Sequence, residues 1–223
     1  AQAITYGTID TEHTNVGSML VDFPGYGWIQ WCSGTLVRER VFLTAGHCTD
    51  PLVSLNLPLD NVRVSFSLNI FAPTAKWLQV SAYMNHPDYN WGPTSDPHDL
   101  GVVVLKKAVH RATPATLPSQ VYLDMLEAAG LLTGAKFTVV GYGSDEKGET
   151  DGFRKVAYSE FLSLHNAWLY MSQNVHTSDS GTCHGDSGGP TFYSDGSTEY
   201  LVATTSWGDA PCALSLKNQP VNF

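Results

Sequence analysis

The octapeptide Cys183-His184-Gly185-Asp186-Ser187-Gly188-Gly189-Pro190 sets one serine among three glycines. Backbone this free of side chains can turn tightly enough to aim two N–H groups the same way, here those of Gly185 and Ser187. Two such donors stabilise the oxyanion that forms when a serine hydroxyl adds to a carbonyl carbon. A glycine-rich turn carrying a solvated serine is the plainer alternative, and it leaves the rest of the octapeptide unexplained. A serine nucleophile needs a base held within hydrogen-bond reach. The segment Leu43-Thr44-Ala45-Gly46-His47-Cys48 offers His47, and Cys48 beside it suggests a disulfide that fixes the backbone presenting the ring. A carboxylate is then needed to hold one imidazole tautomer. Asp99 opens the apolar run Leu100-Gly101-Val102-Val103-Val104-Leu105, at the mouth of a core strand. Asp88 and Asp96 are nearby rivals, but neither directly precedes that run.

These three segments need a rigid scaffold to bring them together. The 223 residues are 43% hydrophobic and only 15% charged, with 20 Gly and 12 Pro scattered along the chain. Such a chain buries a core and breaks it into many short strands. Strands are expected at 28–45 (two, broken at Arg38-Glu39-Arg40), 62–71, 75–84, 100–105, 135–141, 153–162, 190–193 and 199–206. One helix is expected at 120–129, capped by Ser119 and closed by Gly130. The Pro-containing connection from Ala112 to Ser119 is the best boundary, which divides the chain into 1–111, with His47 and Asp99, and 112–223, with Ser187. The fold class is all-β, a pair of barrels or sandwiches.

The net charge of −9, with no basic cluster longer than Lys106-Lys107, argues against nucleic acid or an anionic membrane as partner. No apolar stretch approaches the roughly 20 residues of a spanning helix. The sequence begins at Ala1 without a Met or signal-like segment, as a processed mature chain would. Four cysteines at 32, 48, 183 and 212 permit three pairings, and none has Cys-x-x-Cys spacing, so two disulfides in an oxidising compartment are expected over zinc or dithiol chemistry. No cofactor or metal is called for.

Together the segments resemble the trypsin/chymotrypsin family closely. LTAGHC is similar to its histidine motif, DLGVVVL to its aspartate motif and GDSGGP to its serine motif, in the family's order. Cys32-Ser33-Gly34-Thr35-Leu36, Val140-Gly141-Tyr142-Gly143 and Ser206-Trp207-Gly208 resemble further landmarks, so the likeness covers nearly the whole chain. The resemblance implies two packed six-stranded Greek-key barrels with the active site between them, and disulfides Cys32–Cys48 and Cys183–Cys212. It implies a secreted, monomeric endopeptidase acting on proteins or peptides, with protein inhibitors as further partners. In its mechanism Ser187 is the nucleophile, His47 the base, Asp99 the orienting carboxylate, and Gly185 with Ser187 the oxyanion donors.

The same resemblance places the specificity pocket at Gly181, Thr182, His184, Ser206, Trp207, Gly208 and Val221. Trypsins carry an Asp on the pocket floor where this chain has Gly181, so cleavage after apolar residues, not Lys or Arg, is expected. Asp179 is the nearest carboxylate in sequence. Two features depart from the family pattern. Active members pair a freed N-terminal Ile or Val with the aspartate before the nucleophile, here Ile4 with Asp186, yet Ala1-Gln2-Ala3 precede Ile4. The sequence reaches Phe223 about where the family's last strand begins, so the closing helix is expected to be absent. A protease-like binding protein that has lost catalysis is the competing class. Such proteins usually lack a triad residue, and all three are here.

Overall fold

The structure is a computed structural model that describes residues 4–91, 96–174, 176, 179–208 and 212, and the backbone of 215–220. A two-residue strand, Thr8–Ile9 (β1), is followed by Val16–Phe23 (β2), Gly27–Arg38 (β3), Val41–Thr44 (β4), Val62–Ser65 (β5), Leu78–Asn85 (β6) and Gly101–Leu105 (β7). Strands β2 to β7 close a barrel in the order β2-β3-β4-β7-β6-β5. Met19, Val21, Leu36, Phe42, Val62, Val64, Val103 and Leu105 fill it.

The second half carries Lys136–Gly141 (β8), Lys155–His165 (β9), Trp168–Ser172 (β10), Pro190–Ser194 (β11), Glu199–Gly208 (β12) and Ser215–Pro220 (β13). They pair in the order β9-β10-β13-β12-β11-β8, and β8 pairs back to β9, which closes a second ring of six. The short β1 adds to β9 through Thr8↔Val156 and Ile9↔Lys155. Residues 4–9 therefore belong to the second sheet, and Ile4 is buried in its core with Phe137, Val139 and Leu169. A third apolar cluster joins the barrels, Val16, Leu20 and Leu43 of the first meeting Val140, Tyr142, Phe192 and Leu201 of the second. Among the described residues no helix is long and apolar enough to cross a membrane.

Several expectations need correction. The strand expected over 62–71 stops at Ser65. The helix near 120–129 spans Tyr122–Ala128 (α2), and Ser119 does not cap it; Val121 stands at its N-terminus at φ 54° without a side-chain cap. A second helix, Gly46–Ser54 (α1), was not expected, because Gly46, Thr49 and Pro51 within it all disfavour helix. Residues 221–223, with the end of the chain, lie outside the described residues.

A buried polar network also ties the halves together. Arg154 Nε donates to Asp10 Oδ2 at 2.9 Å, and its Nη1 reaches the carbonyls of Val16 and Phe66 and the hydroxyl of Tyr142. His13 bridges Asp10 (2.9 Å) and Glu199 (3.2 Å). Burial disfavours the His13 cation, but the bonds and charges of Asp10 and Glu199 outweigh it and push its pKa up to about 9. Burial likewise opposes ionised Asp10, yet His13, the Glu12 amide and Arg154 hold it at about 2. A raised histidine contributes stability that is complete below its unfolded value and lost as pH rises through the folded one. His13→Gln should therefore lower the thermal midpoint most at pH 6.5 and below, with the difference from the parent chain vanishing above pH 9. Melting curves from pH 5 to 10 check this; a difference that does not narrow with pH contradicts it.

Candidate active site

His47 lies in the first turn of α1, just past the end of β4, and the Cys32–Cys48 disulfide ties that turn to β3. Strand β7 approaches so closely that a Cβ on Gly101 would collide with Thr49 and the Ala45 carbonyl. This contact brings Asp99, two residues earlier and fully buried, under the imidazole. The His47 backbone N–H donates to Asp99 Oδ1 at 2.8 Å, and Nδ1 stands 2.9 Å from Oδ2 and 3.2 Å from Oδ1. Ser206 Oγ on β12 donates to the same carboxylate. Burial raises the Asp99 pKa, but the His47 bond and charge, the Ser206 hydroxyl and the His47 amide lower it further, so the group is held below its ordinary value. An ionised carboxylate only accepts, so the shared proton sits on Nδ1 and leaves Nε2 as the acceptor of a neutral ring. The rivals are engaged elsewhere: Asp88 N–H donates to His86, and Asp96 accepts from His98 N–H. Trp91, unremarked in the sequence, stands over His47 with ring centroids 5.3 Å apart.

Ser187 is pinned from both barrels. Its carbonyl accepts from Ser33 N–H on β3 at 2.9 Å, and the next residue, Gly188, donates to Thr205 on β12 at 2.7 Å. Gly188 sits at φ 77° against Thr44, Ala45 and Ser33, where no side chain fits. The preceding peptide is oriented just as firmly. The His184 carbonyl accepts from Ser144 N–H (2.7 Å) and Oγ (3.2 Å). The Gly185 carbonyl accepts from Gln30 Nε2 (2.9 Å) and Ser33 Oγ (3.0 Å). In a trans peptide the N–H points opposite to the carbonyl, so Gly185 N–H is turned away from Ser144. Among the described residues, nothing accepts from the N–H of Gly185 or of Ser187. His47, Gly185 and Ser187 line one cavity of about 500 Å³. Gln30, Ser33 and Ser144, which set this geometry, carry no signal in the sequence.

Asp186 is fully buried, and its Oδ1 and Oδ2 accept from Gly143 N–H (2.7 Å) and Cys183 N–H (2.9 Å). A Cβ on Gly141 or Gly143 would run into this carboxylate, which explains the glycines there. Burial pushes its pKa up to about 7, against the two amides and the charge of Lys155. The expected ion pair with an Ile4 ammonium is not formed: Ile4 follows Ala3, so its nitrogen is an amide. Lys155 is the cation on this side. It pairs across the strands with Gly141, so its side chain shares the face that Asp186 fills, whereas Arg154 points to the opposite face and Tyr142.

Ser187 also borders a smaller cavity of about 170 Å³, walled by Thr182, His184, Thr205, Ser206, Trp207 and Gly208. The Cys183–Cys212 disulfide closes it. No carboxylate lines it. Asp179 faces Lys136 instead, 3.8 Å away. Gly181 lies outside the lining, bonded to Thr5 and covered by Gln173, whose side chain occupies the space a Cβ would take. Thr182 and Thr205 turn buried hydroxyls without a partner toward this region. Val221 lies outside the described residues. The two groups of potential metal ligands, Cys32/His47/Cys48 and Cys183/His184/Cys212, have their sulfurs tied in disulfides, which removes the thiolates that bind metal.

Known proteins carry the same pattern. The sequence model of the family described as Trypsin matches residues 11–221. Trypsin beta of Drosophila erecta is 28% identical over 82% of this chain and 70% of its own length. Chymotrypsin-like elastase family member 1 of Bos taurus is 27% identical over 74% of the chain and 64% of its own length. A chymotrypsin-like serine proteinase of Haliotis rufescens is 26% identical over 86% and 75%. With a family match across nearly its full length, on a double barrel joined by the two disulfides implied, this chain belongs to the trypsin/chymotrypsin-like family of serine endopeptidases.

Proposed function

We propose that the chain hydrolyses peptide bonds of protein substrates through an acyl-enzyme, with a preference for apolar residues before the cut. The observation that carries this is His47, fixed through Nδ1 by a buried carboxylate and sharing a cleft with Ser187 and the undirected N–H of Gly185. Ser187 Oγ adds to the scissile carbonyl carbon as His47 Nε2 takes its proton. The N–H groups of Gly185 and Ser187 stabilise the oxyanion. The C–N bond then breaks, and His47 returns the proton to the leaving amine. Water adds to the acyl carbon, giving a proton to His47, which restores it to Ser187 as the carboxylic acid departs.

Substrate backbone has an open strand edge to join. On the β11 side the β12 ladder ends at Pro190↔Thr204, which leaves 206–208 free to pair with an added strand. The small pocket, without a carboxylate in its lining, favours apolar side chains such as Leu, Met or Phe over Lys and Arg. Two disulfides suit an oxidising, extracellular setting, where protein inhibitors are natural partners of a monomeric enzyme. Cleavage of a peptide library, read by mass spectrometry with Ser187→Ala as control, tests the preference. Cuts after Leu, Met and Phe are expected; cuts mainly after Lys or Arg contradict it.

A further inference from the structure

Next to the cleft, on the first barrel, runs an apolar groove of about 470 Å³ bordered by Phe23, Pro24, Tyr26, Pro51 and Leu55. Its remaining walls are Ile29 and Trp31, and no charged side chain lines it. Tyr26 is 83% exposed and Leu55 60% exposed, an unusual concentration of apolar surface for a monomer. The groove is rigid where it meets the cleft. Trp31 donates its indole N–H to the Cys48 carbonyl at 2.9 Å and packs edge-on against Phe23.

Shared walls put three cavities in a row. Ser187 lines both the small pocket and the cleft, and Ile29 and Trp31 line both the cleft and the groove. With the side chain before the cut in the small pocket, the leaving polypeptide passes His47 and continues toward Ile29. The distance follows from β3: Ser33 holds Ser187, and Ile29 lies four residues back along the same strand. At about 3.3 Å per residue that is roughly 13 Å, or about three to four residues of extended substrate. We propose that the groove binds apolar side chains of the substrate about three to four residues beyond the scissile bond, selecting extended polypeptides with a hydrophobic segment there. Continuity with the cleft favours substrate as occupant. A preformed wall reduces the ordering that binding requires.

This inference rests on the proposed acyl-transfer reading, and the two fail differently. Two peptide series share all residues up to the cut and carry Leu or Phe, or else Gly or Asp, at the third and fourth positions after it. The apolar series should show kcat/KM higher by roughly tenfold, in keeping with partial burial of one large side chain. Tyr26→Ser and Leu55→Ser change exposed residues, so the fold should persist, and should shrink that ratio to about twofold. A short ester that ends at the scissile bond should be hydrolysed equally by all three proteins. Equal rates for both series in the parent chain, or a ratio that survives both variants, overturns the proposal. Concentration-dependent dimerisation abolished by the same variants assigns the groove to a second copy and also overturns it. Loss of ester hydrolysis by the parent chain, or its survival in Ser187→Ala, strikes the acyl-transfer reading instead.

Discussion

Ser187→Ala should lower kcat on a peptide substrate by roughly 10⁶-fold while leaving the fold and the thermal midpoint nearly unchanged. The size of the effect follows from geometry. Without Oγ no covalent bond forms to the carbonyl carbon, and His47 and Asp99 have no proton to relay. The two N–H donors at Gly185 and Ser187 remain, so a residual rate above that in water is expected. Stability is largely spared because Ser187 is held by its backbone, through Ser33 and its neighbour Gly188, and not by its hydroxyl. Steady-state kinetics on one peptide, beside melting curves of both proteins, provide the check. A loss of only tenfold would move the nucleophile elsewhere.

Asp99→Asn should cost roughly 10⁴-fold in kcat, with KM little altered. The shape of the site barely changes, but the hydrogen-bonding signs do. Asp99 now accepts from the His47 amide, His47 Nδ1 and Ser206 Oγ, so every contact is a donor aimed at a carboxylate. An asparagine offers one carbonyl oxygen and one NH₂ in that place. Its NH₂ meets Nδ1 only if the ring proton moves to Nε2, and a protonated Nε2 cannot take the Ser187 proton. Kinetics at constant pH check this, and a comparable fall in KM would show that substrate binding had been disturbed instead. The variant should still melt cooperatively, since the residue remains buried and hydrogen-bonded.

The chemistry was legible in the sequence because it is concentrated in short segments. His47, Asp99 and Ser187 are each flanked by residues whose types are dictated locally: Cys48 for the disulfide, Gly101 for the tight approach to α1, Gly188 for positive φ. The strands with clean alternation were legible too. Strand β2 was not, because its residues are buried on both faces, Met19 and Val21 in the barrel and Val16 and Leu20 against the other half. Double burial erases the alternation that marks a strand. Helix α1 was hidden by residues that disfavour helix, its conformation imposed by β7 and the disulfide.

The supporting contacts were out of reach for another reason. Gln30 and Ser144 are 155 and 41 residues from Gly185, and ordinary in their own segments; they matter only because folding aims them at one peptide unit. Asp186 is the clearest case. Its need for a counter-charge was evident from the motif, but the source expected, an Ile4 ammonium, differs from what the fold supplies. Two amides and the charge of Lys155 act on it, and Lys155 reaches that face only through its register with Gly141.

Covalent labelling with a fluorophosphonate tests the central claim most directly, because it reads the activated serine itself. One label per chain is expected, mapped by peptide mass spectrometry to Ser187, absent in Ser187→Ala and greatly slowed in Asp99→Asn. A label on a different residue, or peptide hydrolysis that persists with Ser187 unlabelled, would contradict the account.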